Sequence, residues 1–186
     1  MGEQRWFGRA VVIGCVMLAA VAWSAGESWA YKGIATIVGE AQGLIQGDHL
    51  TSKSQPGTIL LKAMGVSARR PFDAPSGLPT GQLQPAPFKI FKDPDKATPK
   101  LLQALATSES LSVEIRWFRP VPGSSVEQHY FTIKLENASI AGIETGGDVT
   151  VAGGVLEEIQ FLYSKITFTD VINGTSAILN WQSGAF

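Results

Sequence analysis

Apolar and polar residues alternate along much of this chain. In S-L-S-V-E-I-R-W-F, Leu111, Val113, Ile115 and Trp117 alternate with Ser112, Glu114 and Arg116. Successive strand side chains point to opposite faces, so this spacing predicts a strand with one buried face. E-Q-H-Y-F-T-I-K-L-E-N repeats the device, with Phe131, Ile133 and Leu135 on one face and Thr132, Lys134 and Glu136 on the other. R-P-V-P-G-S-S between the two supplies turn residues, which predicts an antiparallel hairpin. Further strands are expected at I-A-T-I-V-G, T-I-L-L-K-A-M-G-V, F-K-I-F-K, A-S-I-A-G-I-E, L-E-E-I-Q-F-L-Y-S-K-I-T-F-T and S-A-I-L-N-W. About eight short strands joined by Gly- and Pro-rich turns predict a mainly β fold, a compact antiparallel barrel or sandwich whose edges are closed or covered.

Three segments depart from that rhythm. In D-P-D-K-A-T-P-K-L-L-Q-A-L-A-T, Thr98 is expected as the helix cap and Pro99 as the first helical residue, with Leu101, Leu102 and Leu105 as an apolar stripe. The pattern predicts one short helix over residues 98–108, marginal by itself in water, whose stripe plugs an open end of the barrel. Residues 69–87 carry Pro71, Pro75, Pro79, Pro85 and Pro87, which cannot donate to a strand ladder, so a long loop is expected there. The third segment is residues 1–30. Arg5 and Arg9 precede an apolar run over residues 10–23, and small residues follow, ending in Ser28-Trp29-Ala30. That order predicts a helical secretory signal peptide cut after Ala30, which places the protein in the periplasm or outside the cell. An uncleaved membrane anchor is the rival reading, and a true start downstream would return the protein to the cytoplasm. The domain boundaries expected are therefore 1–30 for the signal and 31–186 for the barrel.

Composition narrows the function more than the fold. The 186 residues suit one domain plus a leader, and an apolar fraction of 45% supports a packed core. Fifteen basic against sixteen acidic residues give a net charge of −1, so nothing favours nucleic acid as a partner. The single cysteine, Cys15, lies in the leader, so the remaining chain has neither a disulfide nor a thiolate ligand.

Several stretches also carry a family resemblance. F-K-I-F-K-D-P-D-K-A-T-P-K-L-L-Q-A-L-A-T, then V-E-I-R-W-F, Y-F-T-I-K-L-E-N-A-S-I-A-G-I, E-E-I-Q-F-L-Y-S-K-I-T-F-T and I-L-N-W resemble, in order, the Hcp proteins of type VI secretion systems. The likeness covers most of residues 88–181. It implies a β-barrel with one helix, hexameric rings that stack into a tube, and a structural rather than enzymatic role as conduit, secreted product and carrier of small effectors, with an effector or a spike protein as partner. An exported monomeric barrel that binds a small ligand or a surface partner is the alternative.

No catalytic, cofactor or metal residue is expected. His129 falls at an outward strand position and His49 is the only other histidine. Asp93 and Asp95 have the opening spacing of a calcium loop without its glycine or its closing glutamate, so they are better read as acids at a helix entry. G-G-D-V-T-V-A-G-G is a single imperfect copy of a calcium-binding nonapeptide. N-A-S and N-G-T would accept glycans only in a eukaryotic secretory pathway. Leu60, Met64 and Val66 beside Ile59 and Leu61 put apolar side chains on both strand faces. That is more apolar surface than one interior needs, and residues 69–87 are expected to be the arm that reaches a neighbouring copy.

Overall fold

The computed structural model describes residues 31–49, 57–124, 126–147, 150 and 154–181. The leader and most of the glycine-flanked nonapeptide lie outside them. Among the described residues there are twelve strands and one helix: β1 Lys32–Gly39, β2 Gly43–Ile45, β3 Ile59–Leu61, β4 Ala63–Gly65, β5 Ala68–Arg69, β6 Gln84–Pro85, β7 Phe88–Lys92, α1 Thr98–Thr107, β8 Leu111–Pro120, β9 Glu127–Gly147, β10 Val155–Leu162, β11 Lys165–Asp170 and β12 Thr175–Asn180.

The predicted hairpin forms as β8 and β9, with Val113 opposite Leu135, Ile115 opposite Ile133 and Trp117 opposite Phe131. β9 then runs on through A-S-I-A-G-I-E, so two expected strands are one strand of 21 residues. It turns a corner instead of ending. Asn137 takes a positive φ of 49°, and the β8 pairing jumps from Leu135 to Ala138. Asparagine tolerates that backbone, and the one extra residue on β9 bends the strand. The opposite change occurs in L-E-E-I-Q-F-L-Y-S-K-I-T-F-T, which splits into β10 and β11 while both pieces stay on β9. Ser164 holds the break, its amide and hydroxyl both donating to the Glu136 carbonyl at 3.3 and 3.2 Å.

These bends divide the strands into two sheets that share β9. The first runs β2, β1, β8, the first half of β9, β11, β12, and the second runs β4, β7, β10, the second half of β9. Residues 59–65 cross between them: β3 pairs with β1, β4 pairs with β7, and Lys62 N–H donates to the Phe91 carbonyl at 2.8 Å in the step between. The circuit is thereby closed, as a small antiparallel sheet requires if its edges are to be satisfied. Ile37, Ile59, Phe88, Ile115, Leu135 and Phe161 fill the interior with little or no exposure. Trp117 lies flat over its cross-strand partner Gly33, where a Cβ would come within 2.7 Å of the ring.

α1 covers one end of this core, with two corrections to the expected details. Its cap is Ala97, not Thr98, and the cap makes no side-chain bond. Asp95 takes over the entry, its Oδ1 accepting from Ala97 N–H at 3.0 Å, because the Thr98 hydroxyl is engaged elsewhere. The stripe is Ala97, Leu101, Ala104 and partly buried Leu105, whereas Leu102 is 57% exposed. At 3.6 residues per turn Leu102 falls on the next row round, outside the face that four residues already complete. Leu101→Asp should therefore cost several kcal/mol and Leu102→Asp only a few tenths. Thermal melting of the two variants checks this, and equal Tm values would overturn the placement.

Residues 69–87 also differ from a plain loop. Proline was expected to keep them out of any ladder, yet Ala68 pairs with Pro85 and Arg69 with Gln84, because proline's carbonyl still accepts. Ala86 N–H donates to the Ser67 carbonyl, Thr80 N–H to Pro71, and Asp73 N–H to Leu78, each at 2.9 Å. The result is a narrow hairpin arm.

Candidate functional surface

The ionisable groups with the fewest degrees of freedom sit where α1 meets the barrel. F-K-I-F-K continues its alternation through Phe88 and Ile90 to Lys92, and L-E-E-I-Q-F places Glu157 on the same face as Ile159 and Phe161. Both charges therefore point inward, directly opposite one another in the β7–β10 register, at 0% and 1% exposure. Lys92 Nζ reaches Glu157 Oε2 at 2.7 Å, Asp95 Oδ1 at 2.7 Å, Thr98 Oγ1 at 3.0 Å and the Asp93 carbonyl at 2.9 Å. Thr98 in turn donates to Glu157 Oε2 at 2.8 Å and accepts from Asp95 N–H at 3.2 Å. Buried charges need this degree of pairing to persist. The expected calcium-type acids are thus parted: Asp95 holds Lys92 and the helix entry, while Asp93 pairs with Lys62 at the surface. The chemistry of D-K-A-T-P is a clamp between helix and barrel. Lys92 and Glu157 went unrecognised in the sequence, although their place in the alternation was the signal.

A second clamp closes the other end of α1. Ser108 adopts a left-handed backbone and ends the helix, and Glu109 follows. Its carboxylate accepts from Ala41 N–H and Gln42 N–H at 2.8 Å and from Gln42 Nε2 at 2.7 Å, so it satisfies the β1–β2 turn. Gly39 makes room for it: a Cβ there would meet Glu109 Oε1 at 2.3 Å. The Gln42 side chain, followed by the turn's amides, holds the Glu109 carboxyl below its ordinary value of 4.5. A depressed folded value stabilises the protein above the ordinary carboxyl range, and that stability is lost as pH falls through the folded value. The Tm gap between parent and Glu109→Gln should be largest near neutral pH and should close in acid. A gap independent of pH would show that the carboxylate's charge contributes nothing.

The histidines are apart from both clamps. His129 shares a hydrogen bond of 2.9 Å with the Thr132 hydroxyl and lies against Phe118, while the His49 amide pairs with the Thr58 carbonyl. Burial is the main cause depressing the His49 pKa.

The outer surface carries the apolar surplus. Leu60 and Val66 are exposed as expected, while Met64 packs against the core. Val38 and Leu44 form an exposed cross-strand pair, Ile178 is 58% exposed on β12, and Phe72 and Leu78 on the arm are 66% and 64% exposed. The arm therefore does not fold back over its own barrel. Charges on the outside of the first sheet are self-compensating, with Glu136 joined to both Lys134 and Lys165 and Glu114 to Arg116.

Comparison with known proteins agrees with this architecture. A family model described as "Type VI secretion system effector, Hcp" matches residues 35–169. The "Major exported protein" of Pseudomonas aeruginosa strain PAO1 is 35% identical over 164 residues, which span 80% of this chain and 94% of the relative. A crystal structure of an Hcp protein superposes with a TM-score of 0.75 at 29% identity, covering 83% of this chain and all of the other. The Hcp1 protein from E. coli EAEC 042 pathovar gives a TM-score of 0.72 at 25% identity, over 82% and 99% of the two chains.

Proposed function

This chain belongs to the Hcp family of type VI secretion proteins, and from that premise we propose that its barrel is one subunit of a hexameric ring, that the rings stack into a tube, and that it works without catalysis. The role is that of conduit and secreted component, with small effectors or a spike protein as partners and no nucleic acid. The observation that carries this reading is an apolar outer surface on a barrel already closed and filled. Val38, Leu44, Leu60, Phe72, Leu78 and Ile178 are exposed although the interior has no room for them. Neighbouring copies cover such a surplus when each contact buries on the order of 1,000 Å². A monomeric ligand-binding barrel would instead need an interior with space in it, and here Ile37, Ile115, Ile133 and Phe161 occupy that space.

Export through the leader is part of the same proposal. A cut after Ala30 leaves Tyr31 as the first residue, immediately before β1 at Lys32, so the signal is removed without trimming the fold. An uncleaved leader would be the protein's one attachment to a membrane.

The test uses the full chain expressed in an exporting bacterium. Intact mass should place the N-terminus of the soluble protein at Tyr31, and light scattering with negative-stain images should show six-fold rings. Soluble protein that still begins at Met1 would overturn the processing step. A monodisperse monomer at high concentration would overturn the ring.

A further inference from the structure

The asparagines of the chain are Asn137, Asn173 and Asn180, and each is followed by a different kind of residue. Asn137 precedes Ala138, which is 1% exposed at the β9 corner, and Asn180 precedes Trp181 at the end of β12. Asn173 alone precedes a glycine. It lies in the turn of residues 171–174, between Asp170 and Thr175, the last paired residues of β11 and β12. All the residues of that turn are exposed.

An asparagine side chain can close a five-membered ring on the main-chain nitrogen of the residue that follows it. A side chain on that residue crowds the approach, and glycine has none. Gly174 takes a φ of 66°, which favours glycine, and a Cβ built there would meet nothing within 4 Å. The approach to its nitrogen is open.

Asp170 opposes the ring closure. Its Oδ2 accepts from Asn173 Nδ2 at 2.7 Å, and its Oδ1 accepts from the Ile172 and Asn173 amides, both at 3.0 Å. These bonds hold the side-chain amide toward Asp170. The Asn173 side chain, followed by its main-chain amide, holds the Asp170 carboxyl below its ordinary value of 3.8, and Arg119 acts in the same direction. The group is therefore an anion at neutral pH. An anion at this distance disfavours the negative charge that develops on the Asn173 side-chain oxygen when nitrogen attacks its carbon.

We propose that Asn173 is a site of spontaneous deamidation through a ring closed on the Gly174 nitrogen, and that the Asp170 carboxylate sets the rate. The Gly174 nitrogen gives up its proton to water and bonds to the Asn173 side-chain carbon. The bond from that carbon to Nδ2 breaks, and Nδ2 takes up a proton and leaves as ammonia. Water then opens the succinimide at either of its two carbonyl carbons, so that aspartate or isoaspartate stands at position 173. The first product places a carboxylate where a donor to Asp170 stood, and like charges at that spacing repel. The second lengthens the main chain of the turn by one carbon. Val171 N–H still donates to the Tyr130 carbonyl and keeps the β11 side on β9, so the loosening falls on β12. The inference holds for a single barrel or a ring.

The test ages the full chain in mildly alkaline buffer, with peptide mapping and isoaspartate detection at position 173. The same chain unfolded in urea gives the rate without Asp170 in place. The folded parent should convert more slowly than the unfolded chain, and Asp170→Asn, which keeps an acceptor for the turn amides but removes the charge, should convert about fivefold faster than the folded parent, the weight of one hydrogen bond to a charged group at an exposed site. Asn137 and Asn180 should stay intact over the same period. Hydrogen exchange at Thr175 and Ser176 should quicken in the aged parent and in Asn173→Asp, and should not change in aged Asn173→Gln. A position 173 that remains asparagine in both folded proteins while the unfolded chain converts would overturn the site. Equal rates in the folded parent and Asp170→Asn would overturn the control by Asp170. Conversion without faster exchange on β12 would overturn the loosening.

Discussion

Lys92→Met is expected to be the most damaging single substitution in this protein. The methionine fits the space but removes the cation facing Glu157 and Asp95, whose side chains are 2% and 12% exposed. Breaking a buried pair by deleting one partner costs about 3–5 kcal/mol, because the remaining charge is left without water or a counter-ion. For a domain of this size that corresponds to a fall in Tm of about 10 °C. Glu157→Gln should cost less, since Asp95 still faces the ammonium. The double variant Lys92→Met with Glu157→Leu should recover part of the loss, as no unpaired charge then remains between β7 and β10 while Asp95 still lacks its counter-ion. Lys62→Met breaks a pair of which both members are about half exposed, 49% and 48%, and should cost under about 1 kcal/mol. Melting curves of the four variants decide the matter. A Lys92→Met protein that melts with the parent would mean that the clamp is not what joins helix to barrel.

The clamp also shows which parts of the fold were legible in the chain. Period-two alternation identified the strands because each has one face on the core, and it held wherever the backbone stayed regular, as in β8 against β9. It missed the corners. Nothing in apolar spacing distinguishes a strand that ends at Asn137 from one that bends there, since the outcome depends on a left-handed backbone stabilised by the pairing on either side. The helix was identified by its proline and leucines, but its inner face was misassigned by one position. Leucines alone were counted, whereas two of the four residues facing the core, Ala97 and Ala104, are alanines. The buried charges were legible only if alternation was trusted over residue type: Lys92 follows Phe88 and Ile90 inward. The prolines of residues 69–87 were read correctly as donors lost but not as acceptors kept, which is why a hairpin stood where a loop was expected.

That hairpin carries the last expectation. Removing residues 71–81 and joining the ends of the arm should leave the barrel's melting unchanged, because Phe72 and Leu78 touch little of it and the arm's hydrogen bonds are internal. Rings should still form, since the arm is separate from both edges of the first sheet. Stacking should fail. Burying an exposed Phe or Leu side chain contributes about 1.5–3 kcal/mol, and one arm per subunit repeated around a ring multiplies that gain over a single ring-to-ring contact. The prolines help, because they limit the conformations open to the free arm and so reduce the entropy lost when it docks. Sedimentation and negative-stain counts of single rings against tubes give the readout, with tubes expected to fall from the major species to a trace. Tubes at parental abundance would remove the arm from the contact. A lowered melting temperature would show instead that the arm packs on its own barrel, contrary to the exposure of its apolar side chains.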